Sequence, residues 1–313
     1  MLTRITLTAF LVFALTGNAE PQSPPAESTA ADDPRISVDV NLVVLQAVVR
    51  DRRGHLVSDL SERDFEVYED GARQTLRVFG REDVPVTVGL VIDHSGSMAP
   101  KLPDVIEAAR TFARSSNPED QMFVVDFNEK VTLGLPDSIG FTNRADELEG
   151  AIAGTRATGQ TALYDAVIEG MERSRAGGPE KKVLIVISDG GDNASALALP
   201  EVLKRLAQSS AIVYTVGIFD EEDPDRNPGV LLQLAHSTGG EAYFPHQLNE
   251  VVAICENIAR DIRNQYTIGY LSNSSAPPGA VRAIRVVAQA AGKGKLSART
   301  RSSYIAAAAG GAK

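Results

Sequence analysis

The chain has 313 residues, 31 basic and 41 acidic side chains, a formal net charge of -10 and 43% hydrophobic residues. That balance argues against nucleic acid and anionic membrane surfaces as partners, because both attract clustered positive charge. A single cysteine, Cys255, excludes an internal disulfide, so the fold must rest on its core, and Cys255 itself reads as a small buried hydrophobe in a helical pattern.

In chain order, residues 1–19 read as a secretory signal: Arg4 supplies the positive start, 5–15 are almost wholly apolar, and Gly17, Asn18 and Ala19 resemble a small-residue cleavage site. The apolar run is shorter than the roughly 20 residues that cross a bilayer. The expectation is a cleaved signal peptide and a secreted or periplasmic protein with no transmembrane segment in the mature chain. No cysteine follows the run, which argues against a lipoprotein. Residues 20–34, rich in Pro, Ser, Ala and acidic groups, predict a disordered linker.

Residues 35–80 form an N-terminal β segment. Ile36, Val38, Val40 and Leu42 alternate with polar partners, and 43–49 become nearly continuous. Residues 51–54 are a turn, Ser61 and Asp64 have capping-box spacing for one helical turn, and 65–68 and 75–79 predict strands joined at Asp70 and Gly71.

Between 84 and 265 apolar strands alternate with amphipathic helices, the pattern of a doubly wound, mostly parallel sheet covered on both faces, an α/β architecture. Strands are predicted over 86–92, 122–127, 131–135, 183–188, 212–218 and 241–244, and helices over 103–115, 144–153, 162–176, 200–208, 228–236 and 250–263. Pro103, Pro200 and Pro228 fall where helices should begin. Residues 266–305 return to strand patterns, at 266–271, 281–289 and around 296–305. They are expected to pair with the N-terminal strands into a small flanking β-sandwich, because each set alone would expose an apolar face. Residues 306–313 read as a disordered tail.

The chemistry gathers where strands end. The strand over 86–92 runs into Asp93, His94, Ser95, Gly96 and Ser97, so that one carboxylate and two hydroxyls can converge, with Gly96 allowing the sharp turn. Thr161 opens a helix after Gly159, and Asp189 closes the strand over 183–188 before Gly190 and Gly191. Ligands of such sheets bind beyond the carboxyl ends of the strands. Five oxygen donors there suit a hard cation, Mg²⁺ or Mn²⁺, and two carboxylates leave it incompletely neutralised.

The set Asp93, Ser95 and Ser97, with Thr161 and Asp189 on later loops, resembles the metal-ion-dependent adhesion site of von Willebrand factor type A (VWA) domains. The resemblance covers roughly 84–265 and implies a Rossmann-like VWA fold. It implies that Ser95, Ser97 and Thr161 coordinate directly or through water, and that Asp93 and Asp189 anchor the ion largely through water. An exposed Asp or Glu carboxylate of a partner protein would complete the shell. The flanking segments, with Asp64, Phe65 and Asn264 to Tyr270, resemble a bacterial group of secreted proteins related to this domain. The expected function is a metal-dependent, adhesion-type protein-binding module rather than an enzyme.

The rival reading is a metal-dependent hydrolase or phosphatase at the same site. It lacks phosphate-binding Lys or Arg in the motif loops, and the sequence has no GxSxG elbow, P-loop or HExxH helix. His94 reads as a packing residue, being softer than the oxygen set. His55, His236 and His246 lack zinc spacing. Asp192 and Asn193 either support the ligands from behind or form a solvated turn, and the acidic run 220–225 reads as a solvated loop. Lys293 and Lys295 are too few for a nucleic-acid patch. Asn193 and Asn273 open glycosylation sequons, which matter only on a eukaryotic secretory route.

Overall fold

The computed structural model describes residues 42–81, 83–219, 226–274, 277 and 279–306. The signal segment, the linker and the acidic run 220–225 lie outside the described residues. Four strands come first: β1 (Leu42–Arg50), β2 (Phe65–Glu69), β3 (Ala72–Gln74) and β4 (Leu76–Gly80). The α/β region follows with β5 (Val86–Asp93), α1 (Leu102–Ser115), β6 (Gln121–Phe127), β7 (Val131–Leu133), α2 (Ala145–Ala153), α3 (Leu163–Ser174) and β8 (Lys181–Ser188). It continues through α4 (Leu199–Gln208), β9 (Ile212–Gly217), α5 (Pro228–Thr238), β10 (Ala242–Tyr243) and α6 (Glu250–Arg263). The chain closes with β11 (Tyr266–Leu271), β12 (Val281–Ala288), β13 (Ser297–Arg299) and β14 (Ser303–Ile305).

The central sheet has the order β10-β9-β8-β5-β6-β7, parallel except for β7, which runs back along β6. Every residue of β5 is buried, as a strand covered by helices on both faces requires. Gly89 makes room within it, since a Cβ there would lie 2.5 Å from the Phe123 ring and 2.7 Å from Leu184 and would force them to shift. The chain leaves β5 for β6 on one side and later returns to β8 on the other. β5 is therefore where strand order reverses, and the loops after β5 and β8 open into the same crevice.

The flanking strands form two four-stranded antiparallel sheets, β13-β1-β11-β4 and β14-β12-β2-β3, each mixing strands from both ends of the chain. Leu45, Ala47, Val49, Phe65, Val67, Tyr266, Ile268, Tyr270, Ile284 and Val286 fill the space between them. The Phe65, Phe79 and Tyr266 rings meet there with centroids 4.9 to 5.8 Å apart.

Two sequence expectations change. Asp70 and Gly71 both adopt positive φ (49° and 83°), a two-residue hairpin turn that pairs Glu69 with Ala72 at once, so the partner of β2 is the short β3. The chain then crosses at Thr75, and β4 joins the other sheet beside β11, where Leu76 and Phe79 pack into the sandwich core. The single strand expected around 296–305 is likewise two, β13 and β14, one in each sheet.

The sandwich meets the α/β region through buried charge. Asp261 of α6 is fully buried and accepts Arg50 of β1 at 2.6 Å and Arg299 of β13 at 2.7 Å. Arg299 also donates to the Gly239 carbonyl at 2.8 Å and lies 3.2 Å from Glu241. Beside them Arg263 pairs with Asp120 at 2.6 Å and Asp83 at 2.7 Å.

Candidate metal centre

Asp93 is the last residue of β5 and is fully buried. Its Oδ1 accepts the Ser95 backbone N–H at 2.8 Å, folding the chain back over the strand end, and its Oδ2 accepts the Ser188 hydroxyl at 2.6 Å from the end of β8. Ser95 Oγ lies 3.2 Å from Ser97 Oγ, and Ser97 Oγ donates to Asp189 Oδ2 at 2.6 Å. Asp189 Oδ1 accepts the Gly191 N–H at 3.1 Å, while Gly190, at φ 81°, turns the chain away from β8. One chain of short contacts thus joins Asp93, Ser95, Ser97 and Asp189 across two strand ends.

Thr161 is tied through its backbone to the loop that follows Asp189. Its N–H donates to Asn193 Oδ1 at 2.9 Å, and its carbonyl accepts the Asn193 and Ala194 N–H groups at 3.0 and 3.1 Å. On the other side the Thr158 N–H donates to the His94 carbonyl at 2.8 Å, and the Gly96 N–H reaches the Gly159 carbonyl at 3.3 Å. Gly159 stands at φ 82°, and any side chain there would collide with the Glu129 carboxylate. The Thr161 loop is thereby stitched to both the Ser95 loop and the Asp189 loop.

Burial sets the electrostatics. Loss of water pushes the Asp93 carboxyl up to about 6, and the nearby charge of Asp189 adds to that shift, against the hydrogen bonds from Ser188 and Ser95. Among the described residues no Lys or Arg pairs with Asp93 or Asp189. Among the described residues the two acids therefore have no ion pair to a Lys or Arg, an arrangement that a bound cation would relieve. Nor do three His, Cys, Asp or Glu side chains converge anywhere among the described residues to hold a metal. The hydroxyls of Ser95, Ser97 and Thr161 are of the hard, uncharged oxygen type that suits such an ion beside two carboxylates.

His94, inside the motif, is fully buried with its ring turned away from the opening: Nδ1 lies 3.2 Å from the Ile92 carbonyl, and Nε2 lies 2.9 Å from the Ile152 carbonyl. Asp126 Oδ1 is 3.5 Å from Nδ1, and Asp126 Oδ2 accepts the Thr155 hydroxyl at 2.9 Å. Burial raises the Asp126 carboxyl, and a charged His94 would oppose that shift. Asp192 accepts the Tyr164 N–H and the Ser195 hydroxyl, at 3.1 and 2.6 Å, and so fastens its loop to the start of α3. Asn193 supports Thr161. Sequence reading missed Ser188, Asp126 and Thr155. Ser188 sits in a strand among apolar neighbours, and only its position before Asp189 could have marked it.

Residues 87–256, more than half of the chain, match the von Willebrand factor type A domain family. Among curated proteins, inter-alpha-trypsin inhibitor heavy chain H2 of Mesocricetus auratus is 29% identical over 156 residues, covering 46% of this chain and 16% of that protein. The Homo sapiens protein of the same name is 24% identical over 201 residues, covering 60% and 20%. The chain spans about a fifth or less of these relatives. Among solved structures, a von Willebrand factor type A protein from Catenulispora acidiphila superposes with a TM-score of 0.52 at 15% identity, covering 78% of this chain and 74% of that one. Proximal thread matrix protein 1 from the mussel byssus, described with a zinc-occupied MIDAS motif, gives 0.48 at 18% identity, covering 58% and 48%. VWA domains commonly act as metal-dependent adhesion or protein-binding modules. With the family match lying over the sheet that carries these loops, the chain belongs to the von Willebrand factor type A domain family.

Proposed function

We propose that this chain is a metal-ion-dependent protein-binding module, exported from the cell, whose partner presents an Asp or Glu carboxylate. The observation that carries the reading is the short-contact chain Asp93–Ser95–Ser97–Asp189, two carboxylates and two hydroxyls meeting at the carboxyl ends of β5 and β8, with no Lys or Arg paired to either acid among the described residues. Asp93, Ser95, Ser97, Thr161 and Asp189 would hold Mg²⁺ or Mn²⁺, and such an ion when bound supplies Lewis-acid attraction for a further carboxylate oxygen. The protein's part is preorganisation. Ser188 fixes the Asp93 rotamer, Asn193 fixes the Thr161 loop, and the exposed Gly96 backbone keeps the crevice open to an incoming side chain. Export is inferred from the apolar segment over 5–15, and no helix among the described residues is long and apolar enough to cross a membrane.

Calorimetric titration of the metal-free protein with Mn²⁺ and Mg²⁺ tests the site. Saturable one-to-one binding is expected, weakened at least tenfold in Asp93→Asn while the circular dichroism spectrum is kept. Equal binding by the variant would remove this function from the site.

A further inference from the structure

Asp126, next to last in β6, is a fully buried acid that the proposed ligand set does not use. Among the described residues its Oδ1 takes no hydrogen bond, with His94 Nδ1 3.5 Å away, and its Oδ2 takes one, from the Thr155 hydroxyl at 2.9 Å. Val124, Val125 and Phe127 beside it are buried and apolar. Packing alone would favour an apolar residue at 126 too, because a carboxylate taken out of water with one hydrogen bond is costly. The fold instead makes room for the acid: a Cβ on Gly134 would lie 2.6 Å from Asp126 Oδ2.

What the acid holds is the start of the loop that carries Thr161. Thr155 opens that loop just after α2, and among the described residues its hydroxyl makes the loop's only side-chain tie. From there on the backbone is held. The Thr158 N–H donates to the His94 carbonyl, the Gln160 N–H to Glu129 Oε2 at 3.3 Å, and the Ala162 N–H to the Asn128 carbonyl at 2.7 Å. We propose that Asp126 and Thr155 are positioning residues for the metal centre: their bond fixes the loop to β6 and so fixes where the Thr161 hydroxyl stands relative to Ser95 and Ser97. This role rests on the metal-binding reading above. It adds two residues whose side chains form no hydrogen bond with any of the five proposed ligands among the described residues. Supports of this kind, removed from the ion itself, set how well ligands are preorganised.

Calorimetric titration with Mn²⁺, on the full chain at a temperature where each variant is folded, tests the role. Thr155→Val, which keeps the shape and deletes the hydroxyl, should weaken Mn²⁺ binding about fivefold or more, and Thr155→Ser, which restores the hydroxyl, should bind as the native chain does. Asp126→Ala should weaken binding by the same factor, and the double variant no further, because the two side chains act through one bond. A bond that serves the fold alone would shift melting and leave the affinity of the folded protein unchanged. Native affinity in Thr155→Val, or Thr155→Ser as weak as Thr155→Val, overturns the proposal. Should Asp126→Ala not fold, the two Thr155 variants decide. Asp93→Asn keeps the two readings apart. If Asp93→Asn loses Mn²⁺ while both Thr155 variants bind it normally, the positioning role fails and the metal centre stands; if the native chain takes up no Mn²⁺, both fall.

Discussion

The two ends of the central sheet both bury acids, and they treat them oppositely. At the amino end Asp261 and Asp120 are held by arginines from other elements, so that Coulomb attraction and hydrogen bonds offset the cost of removing them from water. At the carboxyl end, among the described residues, Asp93 and Asp189 are hydrogen-bonded by hydroxyls and backbone N–H groups and paired with no arginine. A paired buried acid is part of the scaffold. An unpaired couple at a loop rim is a deficit of positive charge that folding alone does not favour, and that deficit supports the proposal that a cation binds there.

The sharpest way to break this contrast is Asp261→Ala. It leaves Arg50 without its buried anion and Arg299 with Glu241 alone, and should cost about 3 kcal/mol in urea-melt stability, with metal binding unchanged in the folded fraction. A loss under about 1 kcal/mol would mean that the amino-end pairs are not scaffold. Next, the Asp93 carboxyl has its folded pKa raised above the ordinary value of 3.8, so metal-free protein should lose stability as pH rises from about 4 to about 6 and then level off. Asp93→Asn should flatten that slope in thermal melts, and saturating Mn²⁺ should reverse it. An unchanged slope in the variant would show that Asp93 is not the strained group. Ser188→Ala removes the hydroxyl that orients Asp93 and should weaken Mn²⁺ binding roughly tenfold by calorimetry with little change in melting. Smallest is Asp64→Ala, which deletes the capping box on Ser61 at the remote edge of the sandwich. It should lower the urea-melt midpoint only slightly and leave metal binding alone.

Much of this was readable from local pattern. The buried run over 86–92, the helix starts at Pro103, Pro200 and Pro228, and the Asp93, Ser95, Ser97 spacing all depend on residues within a few positions of one another. The sandwich was inferred from the apolar faces its strands would otherwise expose, but its internal assignments were not. The chain's crossing at Thr75 and the division of 296–305 into β13 and β14 follow from which core each short strand can fill, a property of the whole packing. The supports of the candidate metal centre were hidden for a similar reason. Ser188 and Asn193 matter through partners 95 and 32 positions away in the chain.

By itself, then, the sequence determined the alternation of strands and helices and the positions at strand and loop ends of the five residues proposed as oxygen donors, because side-chain periodicity and turn chemistry are local. Tertiary structure decided which acids are neutralised and which are left wanting. Asp261 sits in an ordinary helical pattern, and only folding brings it 2.6 Å from Arg50, which is 211 positions away in the chain. Charge interactions depend on distance and burial, and neither is written in spacing along the chain.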